Sequence, residues 1–163
     1  MSSKFELERR WFEVFRNGMM KSPDIQQEME DAIAKVFEYY DTAIRENRFV
    51  VGGVIEYILG SAMRACEVPV RHMGAVVHDL DLMFEDTECG YSIKSILKST
   101  STRLVNVLGE RPSLDRWRTA TIFLLSGGVG IVYADPALPW WQRNLERCVQ
   151  VRSDALELRK QYI

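Results

Sequence analysis

Asp79, Asp81, Ser92 and Lys94 are the residues of this chain whose types and spacing suit chemistry. Asp79-Leu80-Asp81-Leu82-Met83-Phe84 reads as an acidic strand. Glu85-Asp86-Thr87-Glu88-Cys89-Gly90 reads as a polar turn, and Tyr91-Ser92-Ile93-Lys94-Ser95 as the partner strand. Strand alternation puts Asp79 and Asp81 on one face and turns Leu80, Leu82 and Phe84 toward a core. On the partner strand Ser92 and Lys94 share a face, so carboxylates and an amine meet at one edge of a hairpin. Carboxylate oxygens are the hard ligands that Mg²⁺ takes, one or two at a time, with waters and phosphate oxygens filling the remaining positions. A lysine beside such a cluster orients an attacking water and offsets the charge that develops on a phosphate ester. The bland reading of the same residues is a cross-strand ion pair between Asp81 and Lys94 on a solvated face.

Helices must hold this hairpin in place. Ser3-Lys4-Phe5-Glu6 has the form of a capping box, Leu7, Trp11, Val14 and Phe15 share a helical face, and Gly18 reads as the stop. Ser22-Pro23 opens a second helix, whose stripe of Ile25, Met29, Ile33, Val36, Phe37, Tyr40 and Ile44 runs to a stop at Asn47. A third helix over 49–66 is entered through Gly52-Gly53, and 68–75 is a connection or short strand. The acidic strand covers 76–84 and the lysine strand 91–97. Residues 103–108 fit a strand or a helical turn equally. Two β-branched runs, 119–125 and 129–133, flank Ser126-Gly127-Gly128 as a hairpin, and Asp135-Pro136 ends the second. Residues 139–162 return to helical spacing, with Trp141, Leu145, Cys148, Ala155 and Leu158 inward. Helices, then strands, then a helix predict an α+β (mixed α/β) domain around one central sheet. Its parts are an N-terminal helical pair (1–47), a core (48–135) and a C-terminal helix (136–163).

The chain has 163 residues, the size of one domain, with 47% hydrophobic and 27% charged residues, which suits a globular protein with one substantial core. No apolar run approaches the roughly 20 residues that span a bilayer, and the N-terminus lacks an apolar signal core, so a cytoplasmic location is expected. Cys66, Cys89 and Cys148 are odd in number and far apart, which suits a reducing compartment. With His72 and His78, Cys89 lacks the close ligand pairs of a zinc site. A formal net charge of -2 excludes a wholly basic surface, yet 21 Lys and Arg leave room for a local basic groove. No dinucleotide fingerprint, phosphate-binding P-loop or GxSxG elbow is present.

The hairpin resembles the metal-site hairpin of the PD-(D/E)xK nuclease superfamily, and within it the type II restriction endonucleases. The resemblance rests on Asp79 to Phe84, the turn, and Gly90-Tyr91-Ser92-Ile93-Lys94-Ser95. It covers roughly half of the chain, 49–133, in the order helix, acidic strand, lysine strand, further strands. It implies a restriction-endonuclease-like mixed β-sheet flanked by helices and a Mg²⁺ site, with Mn²⁺ as a substitute. Asp81, or Asp79, and Glu56 on the preceding helix would bind the metal, and Lys94 would position the water. Ser92 stands where the family usually has its second acid, as in restriction enzymes with a serine there that recruit a later glutamate. Glu110 is the nearest later glutamate. The substrate implied is double-stranded DNA, cut by a homodimer because two strands need two active sites. A cognate DNA methyltransferase is expected in the same cell, not physically bound. Lys98, Ser99, Thr102, Arg103, Arg111, Arg116 and Arg118 are the candidate phosphate contacts, because cations interleaved with hydroxyls suit backbone binding. The rival readings are a repair or transposition nuclease of the same superfamily and a non-catalytic DNA-binding or adaptor domain that kept the fold.

Overall fold

A computed structural model describes residues 4–41, 44–74, 80–96, 118–125, 130–137 and 148–149. Helices α1 (Glu6–Lys21), α2 (Pro23–Tyr39) and α3 (Arg45–Ala65) precede strands β1 (Val70–His72), β2 (Leu82–Phe84), β3 (Gly90–Ile96), β4 (Thr121–Leu125), β5 (Gly130–Ala134) and the two-residue β6 (Cys148–Val149). The strands form one sheet in chain order. Every neighbouring pair is antiparallel except β3 and β4, which run parallel from Ser92↔Thr121 to Ile96↔Leu125. The expected α+β class and mixed sheet are therefore present. The parallel step requires a crossover, because a tight turn cannot return the chain in the same direction.

The helical layer is built by the stripes the sequence carries. Phe12, Phe15 and Met19 of α1, Met29, Ile33 and Phe37 of α2, and Val51, Ile55, Leu59 and Met63 of α3 join Leu82, Phe84, Tyr91, Ile93, Ile122, Leu124, Ile131 and Tyr133 in one core. Each such side chain contributes about 1.5–3 kcal/mol when fully buried. The Phe12 and Tyr133 rings lie 5.2 Å apart and Trp11 and Phe84 6.2 Å apart, so α1 packs directly on the sheet. The apolar stripe of α1 thus faces its own sheet, and that of α2 joins the same core.

The helix boundaries depart from the sequence pattern for identifiable reasons. Proline at the start of α2 acts as expected. Gly18 does not stop α1, which continues to Lys21. A Cβ there would lie 2.7 Å from the Cβ of Cys66, so this glycine permits α1 to cross closely over the end of α3. The N-cap of α1 is Phe5 in the left-handed region, with no side-chain cap, in place of a Ser3–Glu6 box. Helix α2 ends at Tyr39, and Asn47, Gly52 and Gly53 lie inside α3. Cys148–Val149 pairs with β5 as a strand, which corrects the helical reading at that point of 136–163.

The hairpin that matters is shorter on its acidic side than expected. β2 spans three residues, and Asp81 lies at a bend just ahead of it. Leu82 and Phe84 are buried in the core as expected, but Met83 between them is buried too, so burial does not alternate along β2. The Thr87 hydroxyl donates to the Phe84 carbonyl at 3.0 Å and accepts from the Cys89 N–H at 3.1 Å, which closes the turn. Any Cβ at Gly90 would collide with the Leu82 carbonyl, so only glycine permits the β2–β3 pairing at this point. Among the described residues no helix is long and apolar enough to cross a membrane.

Candidate functional site

The strand bonds bring Asp81 into place. Its N–H donates to the Tyr91 carbonyl and its carbonyl accepts from the Met73 N–H, both at 2.9 Å, so its backbone is stitched to β3 on one side and to the end of β1 on the other. Its carboxylate is held as well. Oδ2 accepts from the Ile93 backbone N–H at 2.6 Å, with the Ser92 hydroxyl at 3.5 Å. A carboxylate receiving a backbone N–H at that length is oriented by a charge-assisted bond.

Helix α3 brings Glu56 to the same place. Val51, Ile55 and Leu59 anchor one face of α3 in the core, which sets Glu56 at the margin, half-buried, beside β1. His72, at the end of β1, meets it with Nε2 2.8 Å from Glu56 Oε2. An ionised carboxylate only accepts, so Nε2 carries the proton and donates. The Glu56 carboxyl is raised above the ordinary glutamate range. Burial is the largest cause, and the His72 hydrogen bond opposes it. The nearby Asp81 charge raises it further, and the His72 charge lowers it. Two acids from different elements therefore approach each other, compensated on Glu56 by an imidazole and on Asp81 by a backbone amide.

That donor set fits a hard divalent cation. Like charges drawn together in a half-buried place lose free energy unless a cation or proton joins them, and Mg²⁺ needs only one or two carboxylates from the protein. Among the described residues no group of three or more His, Cys, Asp or Glu side chains gathers to hold a metal. Glu56 and Asp81 would therefore offer such an ion two carboxylates.

The other expected residues fall in three groups. Ser92 is buried beside Asp81, as the hairpin predicts. Lys94 is exposed, shares the Ser92 face of β3 by strand parity, and makes no ion pair with Asp81 or Glu56, so the cross-strand ion pair is not formed. Arg118 is exposed just ahead of β4. Asp79, Lys98, Ser99, Thr102, Arg103, Glu110, Arg111 and Arg116 lie outside the described residues. His72 is the site residue that sequence reasoning missed. Its signal was positional: Val70 is buried in the core, and period two puts His72 on the same face, toward α3.

Comparisons with protein-family models, with curated proteins and with solved structures give no match.

Proposed function

We propose that this chain is a Mg²⁺-dependent, sequence-specific endonuclease of double-stranded DNA, resembling the type II restriction enzymes of the PD-(D/E)xK superfamily. One observation carries the reading: the end of β1 holds Glu56 of the preceding helix through His72 and Asp81 of the acidic strand through the Met73 N–H, beside the strand that bears Ser92 and Lys94. Mg²⁺, or Mn²⁺ in its place, would supply a Lewis acid for the phosphate oxygens and a bound water of lowered pKa. Asp81 and Glu56 would hold it, with Asp79 as the alternative or additional ligand. The Lys94 ammonium orients the attacking water and offsets charge on the phosphate. The Ser92 hydroxyl stands in the place of the family's second acid and adds no charge there.

Lys98, Ser99, Thr102, Arg103, Arg111, Arg116 and Arg118 would contact the DNA backbone, and a homodimer would cut both strands. The stripe of α1 and α2 is already used within the core, so a second copy would meet another surface. Phe49, Val50 and Tyr57, all exposed, lie on the helix that carries Glu56. A cytoplasmic location beside the DNA, with a cognate methyltransferase in the same cell, belongs to the same reading. The second reading is a non-catalytic DNA-binding or adaptor domain of nuclease-like fold. It draws on Ser92 in the acid's place and on the gathering of only two carboxylates among the described residues.

Incubation of the purified protein with unmethylated phage DNA and Mg²⁺, with Lys94→Ala as control, separates the two. The enzyme reading expects discrete fragments that disappear in the variant. Absence of cleavage with Mg²⁺ and Mn²⁺ on duplex, single-stranded and branched DNA would leave the non-catalytic reading. Cleavage of branched or single-stranded DNA alone would favour a repair or transposition nuclease.

A further inference from the structure

We infer that His72 is a positioning residue for the candidate metal site: its Nε2–H fixes the Glu56 carboxylate in the orientation that faces Asp81. The inference rests on the proposed function and adds a residue to it. Three constraints converge on this imidazole. Its Nε2 lies 2.8 Å from Glu56 Oε2. Its ring stacks on Tyr57, centroids 4.1 Å apart and planes 28° from parallel, so the ring plane is set by the residue that follows Glu56 on α3. Its backbone is set by the Arg71↔Met83 and His72↔Leu82 pairings, and the next residue donates from the Met73 N–H to the Asp81 carbonyl at 2.9 Å. The imidazole therefore ties the helix that carries one acid to the strand end that carries the other.

The need for such a tie follows from the charges. Glu56 has a flexible side chain, and the Asp81 carboxyl nearby favours rotamers that turn Glu56 away. A donor on Oε2 that is itself held by stacking and by the β1–β2 pairing removes that freedom and leaves Oε1 for a cation. Side chains that orient a metal-binding group in this way typically change metal affinity by about 10–100-fold when removed.

Two substitutions divide the hydrogen bond from the ring. His72→Phe keeps a flat ring against Tyr57 and removes the donor. His72→Gln removes the ring and keeps an amide N–H at similar reach. Mg²⁺ binding to the intact protein is read by calorimetry, the Mg²⁺ concentration at half-maximal DNA cleavage is read beside it, and thermal melting reports the fold. Weakening of Mg²⁺ binding by about tenfold or more in His72→Phe, with His72→Gln within about threefold of the native protein, is the expected result. An unchanged isotherm in His72→Phe overturns the inference, as does His72→Gln binding as poorly as His72→Phe, which would make the ring packing the cause. Glu56→Gln separates this failure from failure of the function itself. If Glu56→Gln loses Mg²⁺ and His72→Phe does not, only the role of His72 falls. If the native protein binds neither Mg²⁺ nor Mn²⁺, the proposed function falls with it.

Discussion

The molecule holds carboxylates in two places in opposite ways. Asp135, at the end of β5, is fully buried and fully compensated. Its oxygens receive Arg9 Nε at 2.8 Å, the second guanidinium nitrogen at 2.9 Å, the Tyr133 hydroxyl at 2.6 Å and the Ala137 N–H at 2.9 Å. The arginine is a fixed cation in a fork that matches the carboxylate, and the pairing in turn raises the Arg9 pKa. At the other place, Glu56 and Asp81 face each other with no arginine or lysine paired to either among the described residues. One arrangement has its counter-charge built in, and the other leaves it to be supplied. The second arrangement is the one that would gain from a cation supplied by solution, as the proposed function requires.

The largest effect that tests this contrast is at the compensated end. Asp135→Ala leaves the Arg9 guanidinium and the Tyr133 hydroxyl without their acceptor and should destabilise the protein by about 3–5 kcal/mol, read by urea unfolding. Mg²⁺ affinity of the folded fraction should not change. A loss below about 1 kcal/mol would mean that the buried pair is not the staple between α1 and β5 that its geometry describes.

The complementary substitution is Asp81→Asn. The amide oxygen still accepts from the Ile93 N–H, so the hairpin should hold, with an unchanged circular dichroism spectrum and a melting point no lower than that of the native protein. Metal-dependent cleavage should fall on the order of 10³-fold, the rate equivalent of the several kcal/mol that a metal supplies to a phosphoryl transition state. Equal loss of stability and activity would place Asp81 in the same class as Asp135 and remove the contrast.

The sequence made the scaffold legible wherever one local signal decided the outcome. Proline at the start of α2, the burial of Leu82 and Phe84, and the β4–β5 hairpin follow from such signals. Gly18, Gly52 and Gly53 misled because a glycine within a helical run signals either a stop or a close approach. Only the tertiary contact with Cys66 decides the first of them. The pairing of Cys148 with Val132 is non-local and leaves no trace in helical spacing. At the candidate site, Asp81, Ser92 and Lys94 stand out by their place in one hairpin. Glu56 was reached through a family resemblance, because no residue spacing links a helix position to a strand head. His72 escaped because a lone histidine in a short strand has no motif. Its meaning comes from α3 packing on β1 at one angle.

The smallest effect is the sharpest test of the undercompensated pair, because its sign is unusual. Glu56→Gln keeps an oxygen to accept from His72 and removes one of two facing charges. The native Glu56 carboxyl sits above its ordinary value of 4.5, chiefly through burial. Below that ordinary value the carboxyl is protonated in both folded and unfolded chains, so native protein and variant should melt together. As pH rises from 4.5, the unfolded chain ionises first while the folded chain still holds its proton, and the native protein loses stability until the folded group has ionised too. Above that point the gap between variant and native protein should be constant. In metal-free buffer near neutral pH, Glu56→Gln should therefore melt higher than the native protein. Added Mg²⁺ should raise the native melting point and not that of the variant, which narrows or reverses the gap. A variant that melts lower than the native protein at neutral pH would mean that Glu56 is a stabilising partner of His72, and the two carboxylate places would no longer differ in kind.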